Sequence, residues 1–118
     1  MKESIGGNGV CSNYSYDYTD ATWREIQQFK GGNAIFTHPN TPIKCGDAPQ
    51  KIMYLAEEYF CQQGVREKSK IMFQTASSHI FHAPHYASSL EKGFCCKVFR
   101  VELNFRENEM RRMIHGIF

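Results

Sequence analysis

Asn33-Ala34-Ile35-Phe36-Thr37-His38-Pro39-Asn40-Thr41-Pro42-Ile43-Lys44-Cys45-Gly46-Asp47-Ala48-Pro49 is the stretch on which the fold turns. Asn33 to Thr37 carries Ala34, Ile35 and Phe36 as a short apolar run, the pattern of a strand buried on both faces. His38 to Pro42 is a stiff loop, because each proline fixes its own φ and restricts the residue before it. A helix then spans residues 48 to 63. Pro49 is tolerated in its first turn, where the missing N–H would be unpaired anyway. Ile52, Leu55, Ala56, Tyr59 and Phe60 follow an i, i+3, i+4, i+7, i+8 stripe, and Gly64 sits at the C-terminal cap position.

Working outward, the charged linker Val65 to Ser69 leads into Lys70 to Thr75, where Ile71, Met72 and Phe73 mark a second buried strand. Ala83-Pro84-His85-Tyr86 opens a helix that reaches about Lys92. Val98 to Phe105 alternates, with Phe99, Val101, Leu103 and Phe105 on one face, so it reads as a strand with one wet face near a sheet edge. Upstream, Asp20 caps a short helix to about Phe29, with Trp23 and Ile26 on one side, and Lys30-Gly31-Gly32 ends it. Strand and helix alternate, which predicts an α/β fold: a partial Rossmann-like parallel sheet (βαβαβ) with flanking helices.

The composition agrees with one domain. The chain has 118 residues, 42% hydrophobic and 22% charged, inside the globular range. A net charge of +2 is too balanced for a dedicated nucleic-acid binder. No apolar run approaches the roughly 20 residues of a membrane span, and Met1-Lys2-Glu3-Ser4 opens no legible targeting segment. The 5 cysteines form no CxxC pair, and their odd number fits no closed set of internal disulfides. That usage predicts a reducing compartment with mostly buried thiols.

Cys45 stands apart. In an open parallel sheet, ligands collect beyond the carboxyl ends of the strands. A thiol at a helix start there meets unpaired N–H groups and the positive end of the macrodipole, which favour the nucleophilic thiolate. Lys44 and Lys51 add positive charge, and Asp47 opposes it. The functional reading is a redox or nucleophilic cysteine; the plain alternative is a buried, inert thiol. Cys11, Cys61, Cys95 and Cys96 do not open a helix after a buried strand. The turn also lacks the GxGxxG through which a pyrophosphate approaches the backbone, and Gly7-Asn8-Gly9-Val10-Cys11-Ser12 lacks the third glycine and the strand that such a fingerprint needs.

The run Gly31 to Cys45, followed by Ala48-Pro49-Gln50-Lys51-Ile52-Met53-Tyr54-Leu55, closely resembles the mitochondrial sulfide:quinone oxidoreductases. The likeness extends from Cys11-Ser12-Asn13-Tyr14-Ser15 to Lys92, through Lys70-Ile71-Met72-Phe73-Gln74-Thr75 and Tyr86-Ala87-Ser88-Ser89-Leu90. It resumes at Val101 to Asn108. The resemblance implies an FAD enzyme with two dinucleotide-binding-type domains, of which this chain is a fragment of the second. Such enzymes oxidise sulfide to a cysteine-bound persulfide, pass electrons through FAD to ubiquinone, and hand the sulfane sulfur to an acceptor. Cys45 is then one of the two redox cysteines, with its partner beyond Phe118, and Ile80 falls at a position that touches the flavin. The expected organisation is an irregular lead-in over 1–19, a partial FAD/NAD(P)-binding-type domain over 20–108, and a divergent tail over 109–118. Mitochondrial placement at the inner membrane is implied, with membrane association only through regions outside these residues. The FAD fingerprint and the second redox cysteine are not among them, so the isolated chain is expected to be inactive. Where the family usually has Cys-Ala-Gly-Ala-Pro, this chain has Cys45-Gly46-Asp47-Ala48-Pro49, and a carboxylate two residues from the thiol opposes its ionisation.

Two other readings stand beside this one. His79, His82 and His85, with Cys95 and Cys96 nearby, have ligand types that suit zinc, although Pro84 denies them one continuous helix. A non-catalytic interaction protein, prone to self-association through an exposed apolar edge, is the other. Glu57 and Glu58 read as a solvated helix face, and Arg111 and Arg112 as a solvated tail.

Overall fold

Three parallel strands, joined by helices, organise the chain in the computed structural model, which describes residues 5–6, 8–39, 41–80, 83–96 and 100–102. In chain order the elements are α1 (Thr19–Gln28), β1 (Gly32–His38), α2 (Ala48–Gln62), β2 (Ser69–Thr75), α3 (Pro84–Cys96) and β3 (Arg100–Glu102). The strand order is β1-β2-β3, so the α/β reading with a parallel βαβαβ sheet holds. β1 and β2 pair without stagger, from Gly32 opposite Ser69 to His38 opposite Thr75. β2 pairs β3 from Met72–Arg100 to Gln74–Glu102. The rest of the strand expected over Val98 to Phe105, and the tail over 109–118, lie outside the described residues.

Local boundaries follow from identifiable residues. α1 starts two residues earlier than expected: Tyr18 occupies the N-cap, and Asp20 sits in the first turn, where a carboxylate complements the macrodipole. After Phe29 turns extended, Gly31 takes φ +118°. A Cβ there would sit 2.9 Å from both Cβ and the carbonyl oxygen of Lys68, so only glycine fits where the lead into β1 passes the lead into β2. α3 runs on to Cys96, past the expected end near Lys92.

The core lies where α2 covers the sheet. Met53, Ala56 and Phe60 of α2 pack with Ile71 and Phe73 of β2, Ile26 of α1, and Ile80 from the loop after β2. Phe29 meets Phe60 with ring centroids 4.6 Å apart, and Trp23 meets Tyr59 edge-on at 5.0 Å.

Three expectations need correction. The buried face of α2 is rotated from the predicted stripe: Leu55 is 61% exposed, and Met53 is fully buried in its place. Glu57 is not on a solvated face. It is buried, and its Oε1 accepts a bond from Arg66 Nε at 3.2 Å, while Arg66 Nη1 donates to the Ser69 carbonyl at 3.1 Å. A charged residue inside the helix face broke the apolar pattern, because its partner lies beyond the helix and periodicity cannot see it. Finally, β1 is only half-buried over Ala34 to Thr37, unlike β2, whose Ile71 to Thr75 are all buried. As an edge strand among the described residues, β1 has a neighbour on one side only.

Candidate functional site

The carboxyl ends of β1 and β2 finish level, and the polar groups there are joined. His38 is buried, with Nδ1 3.3 Å from Thr75 Oγ1. The Ala76 N–H donates to the His38 carbonyl at 3.0 Å, and the Ser77 N–H to Thr75 Oγ1 at 3.1 Å. Two loops leave this edge: one to α2, carrying Cys45, and one to α3, carrying Ile80.

Cys45 lies in the first loop, three residues ahead of Ala48, and is exposed. The thiol is therefore not buried, as the plain alternative would have it. Its carbonyl accepts two bonds, from Tyr14 Oη at 2.7 Å and from the Ala48 N–H at 3.3 Å. Asp47 is the N-cap residue of α2 but makes no side-chain cap bond, and its carbonyl accepts the first helical bond from the Lys51 N–H at 3.0 Å. The helix mouth is leaner in donors than expected: Ala48 spends its N–H on Cys45, and Pro49 has none. Partial burial, followed by the negative charges of Cys45 and Asp47, raises the Tyr14 phenol above its ordinary value.

The other described thiols differ. Cys61 is exposed on the last turn of α2, and Cys11 is half-buried. Burial and then the charge of Glu25 push the Cys11 thiol up, against a hydrogen bond with Thr22 that pulls it down. None of the three is fully buried, contrary to the expectation from composition. Ile80 is 2% exposed, its side chain sealed in the core. His79 is exposed, with Nδ1 2.8 Å from Ser78 Oγ, and His85 is exposed beside Tyr86; His82 lies outside the described residues. No group of three or more His, Cys, Asp or Glu gathers for a metal among the described residues.

A shallow apolar depression of about 320 Å³ lies between α2 and α3, lined by Asp47, Gln50, Tyr54, Tyr86 and Leu90 among others. Gln50 is buried, and its Nε2 has no hydrogen-bond partner among the described residues. Sequence reasoning missed Tyr14, Gln50 and the His38–Thr75 pair. Tyr14 carried no local signal, since its partner is 31 positions away. Among the described residues no helix is long and apolar enough to cross a membrane.

No family model matches the chain. Among curated proteins it is 47% identical over 108 residues to the mitochondrial sulfide:quinone oxidoreductase of Mus musculus, covering 92% of this chain and 24% of that protein. The protein of that name from Dictyostelium discoideum is 43% identical over 109 residues, again 92% and 24%. That from Schizosaccharomyces pombe is 41% identical over 81 residues, 69% and 18%. The chain thus spans at most 24% of the length of these relatives. A chain in the cryo-EM structure of the Tetrahymena thermophila mitochondrial ATP synthase F1Fo composite tetramer superposes with a TM-score of 0.56 at 16% identity, over 76% of this chain and 23% of that one, a likeness of fold alone.

Proposed function

Because the chain belongs to the mitochondrial sulfide:quinone oxidoreductase family, of which it spans about a quarter, we propose that Cys45 is a sulfur-carrying thiol of sulfide oxidation in a mitochondrial, quinone-linked enzyme. The observation that carries this is an exposed thiol in the loop between the first parallel strand and its helix, inside a segment 47% identical to a protein named for that reaction. Residues 20–108 are then part of a dinucleotide-binding-type domain, and ubiquinone and a sulfane-sulfur acceptor are the partners beyond sulfide.

The chemistry asked of Cys45 balances simply. As half of a disulfide with a second cysteine, it is attacked by hydrosulfide. The S–S bond breaks, a new S–S bond leaves Cys45 as a persulfide, and the partner departs as thiolate with the electron pair. Transfer of the outer sulfur to a nucleophilic acceptor restores the Cys45 thiolate. The electron pair on the partner thiolate is destined for the quinone.

FAD belongs to the family reading, but the described residues do not fit its pyrophosphate. Between β1 and α2 stand Pro42, Ile43, Lys44 and Cys45, and no glycine of that turn has a positive φ. A flavin contact at Ile80 would fall to its main chain, since its side chain fills the core.

The test is site-resolved. The purified chain is treated with an aryl disulfide, and mass spectrometry follows each cysteine. Cys45 is expected to form the mixed disulfide faster than Cys61, which is also exposed. Added hydrosulfide should then displace the aryl thiolate and leave one extra sulfur on Cys45. Equal or slower reaction at Cys45, with no sulfur retained, would overturn the assignment. A non-catalytic interaction protein gives that second result.

A further inference from the structure

We infer that Tyr14 is a positioning residue for Cys45: its phenol, donated across 31 positions of sequence to the Cys45 carbonyl, holds the turn from which the thiol reacts. The inference rests on the reading of Cys45 as the reactive thiol and adds the group that fixes its geometry.

The turn needs such a tie. Between buried His38 and buried Pro49, none of the described residues is buried; Thr41, Pro42, Lys44 and Cys45 are exposed. Among its described residues the segment therefore has no fully buried apolar anchor, Ile43 being only half-buried. Proline stiffens its first half, but Gly46 follows the thiol directly. Within the turn, the Cys45 carbonyl takes only the long 3.3 Å bond from the Ala48 N–H. The Tyr14 bond, at 2.7 Å, is the shorter of the two. Among the described residues it is also the one side-chain hydrogen bond that reaches residues 41–47 from elsewhere in the chain. Partial burial first, and then the titratable groups Cys45 and Asp47 that face it, raise the phenol above the ordinary tyrosine value, so it stays a donor.

A hydrogen bond of this kind shifts the population of the held turn by about fivefold. Reactivity that depends on that one presentation should fall by the same factor when the bond is removed.

The experiment compares the full chain with Tyr14→Phe, using the aryl disulfide and reading the rate at Cys45 relative to Cys61 in the same molecules. Circular dichroism confirms folding. The expected result is a fall of about fivefold in the Cys45 to Cys61 ratio, with the Cys61 rate unmoved. In the unsubstituted chain the same ratio should drop at alkaline pH, in step with the Tyr14 absorbance change, and Tyr14→Phe should lack that step. An unchanged ratio in folded Tyr14→Phe overturns the inference, and leaves the Cys45 reading standing provided that Cys45 outpaces Cys61 in the unsubstituted chain. A Cys45 no faster than Cys61 in the unsubstituted chain sinks both. Should Tyr14→Phe fail to fold, the alkaline profile of the unsubstituted chain decides: a ratio that does not follow the phenol overturns the inference.

Discussion

Replacing Arg66 by Ala should destabilise the chain far more than a surface arginine would. Its Nε sits 3.2 Å from Glu57 Oε1, and the two side chains are only 20% and 10% exposed. Breaking a buried pair by removing one partner costs about 3–5 kcal/mol, because it strands the other charge. Arg66 is not fully sealed, so solvent relieves part of that, to roughly 2 kcal/mol. The lost bond from Nη1 to the Ser69 carbonyl, at 3.1 Å, adds about 1 kcal/mol. The sum is about 3 kcal/mol, a large share of the ~5–15 kcal/mol of a typical domain. Urea unfolding, followed by the one tryptophan, Trp23, which rests against Tyr59, reads it directly. With an m-value of about 1–3 kcal/mol per molar, the midpoint should fall by at least ~1 M. The double variant Glu57→Leu/Arg66→Met, with nothing charged left behind, should recover most of the loss. A loss of stability in Arg66→Ala no larger than that of an exposed pair, under ~0.5 kcal/mol, would refute the buried-staple reasoning.

Further outcomes follow. Met53→Ala should cost about 2–5 kcal/mol, whereas Leu55→Ala, two positions on, should stay within ~0.5 kcal/mol; paired thermal melts check both. Gly31→Ala should be destabilising by more than the ~1 kcal/mol of a simple backbone penalty, because the added Cβ meets Lys68 at 2.9 Å. Gly64→Ala, at φ +66° in open space, should show the backbone penalty alone. Spectrophotometric titration should find Tyr14 ionising above ordinary tyrosine, and Cys45→Ser should bring it down by removing a neighbouring negative charge. Since the folded phenol titrates higher than the unfolded one, its contribution to stability is complete below the unfolded value and fades as pH climbs through the folded one.

Which parts of this could be read in advance follows from the range of the interactions. β1, α2 and β2 were legible because their signals are local: apolar runs, a proline in the first turn, a glycine after the last. The direction of the α2 face was not, because Glu57 reads as solvated until Arg66, nine positions on, is brought beside it. Exposure of β1 was hidden for a related reason: Ala34-Ile35-Phe36 states that the residues are apolar, not which side of them a neighbour covers. The placement of Cys45 followed from the strand–loop–helix order. The tie from Tyr14 did not, since it joins segments with no shared pattern.

The unstaggered pairing of Gly32–His38 with Ser69–Thr75 restricts how related chains can drift in length. Dropping or adding one position inside either block would swap inward for outward side chains from that point on, pulling Phe36 or Phe73 away from the core cluster. Gaps in alignments should therefore cluster in the connecting loops, and the distance from the edge of the first strand to the thiol can vary only where the chain has already left the ladder.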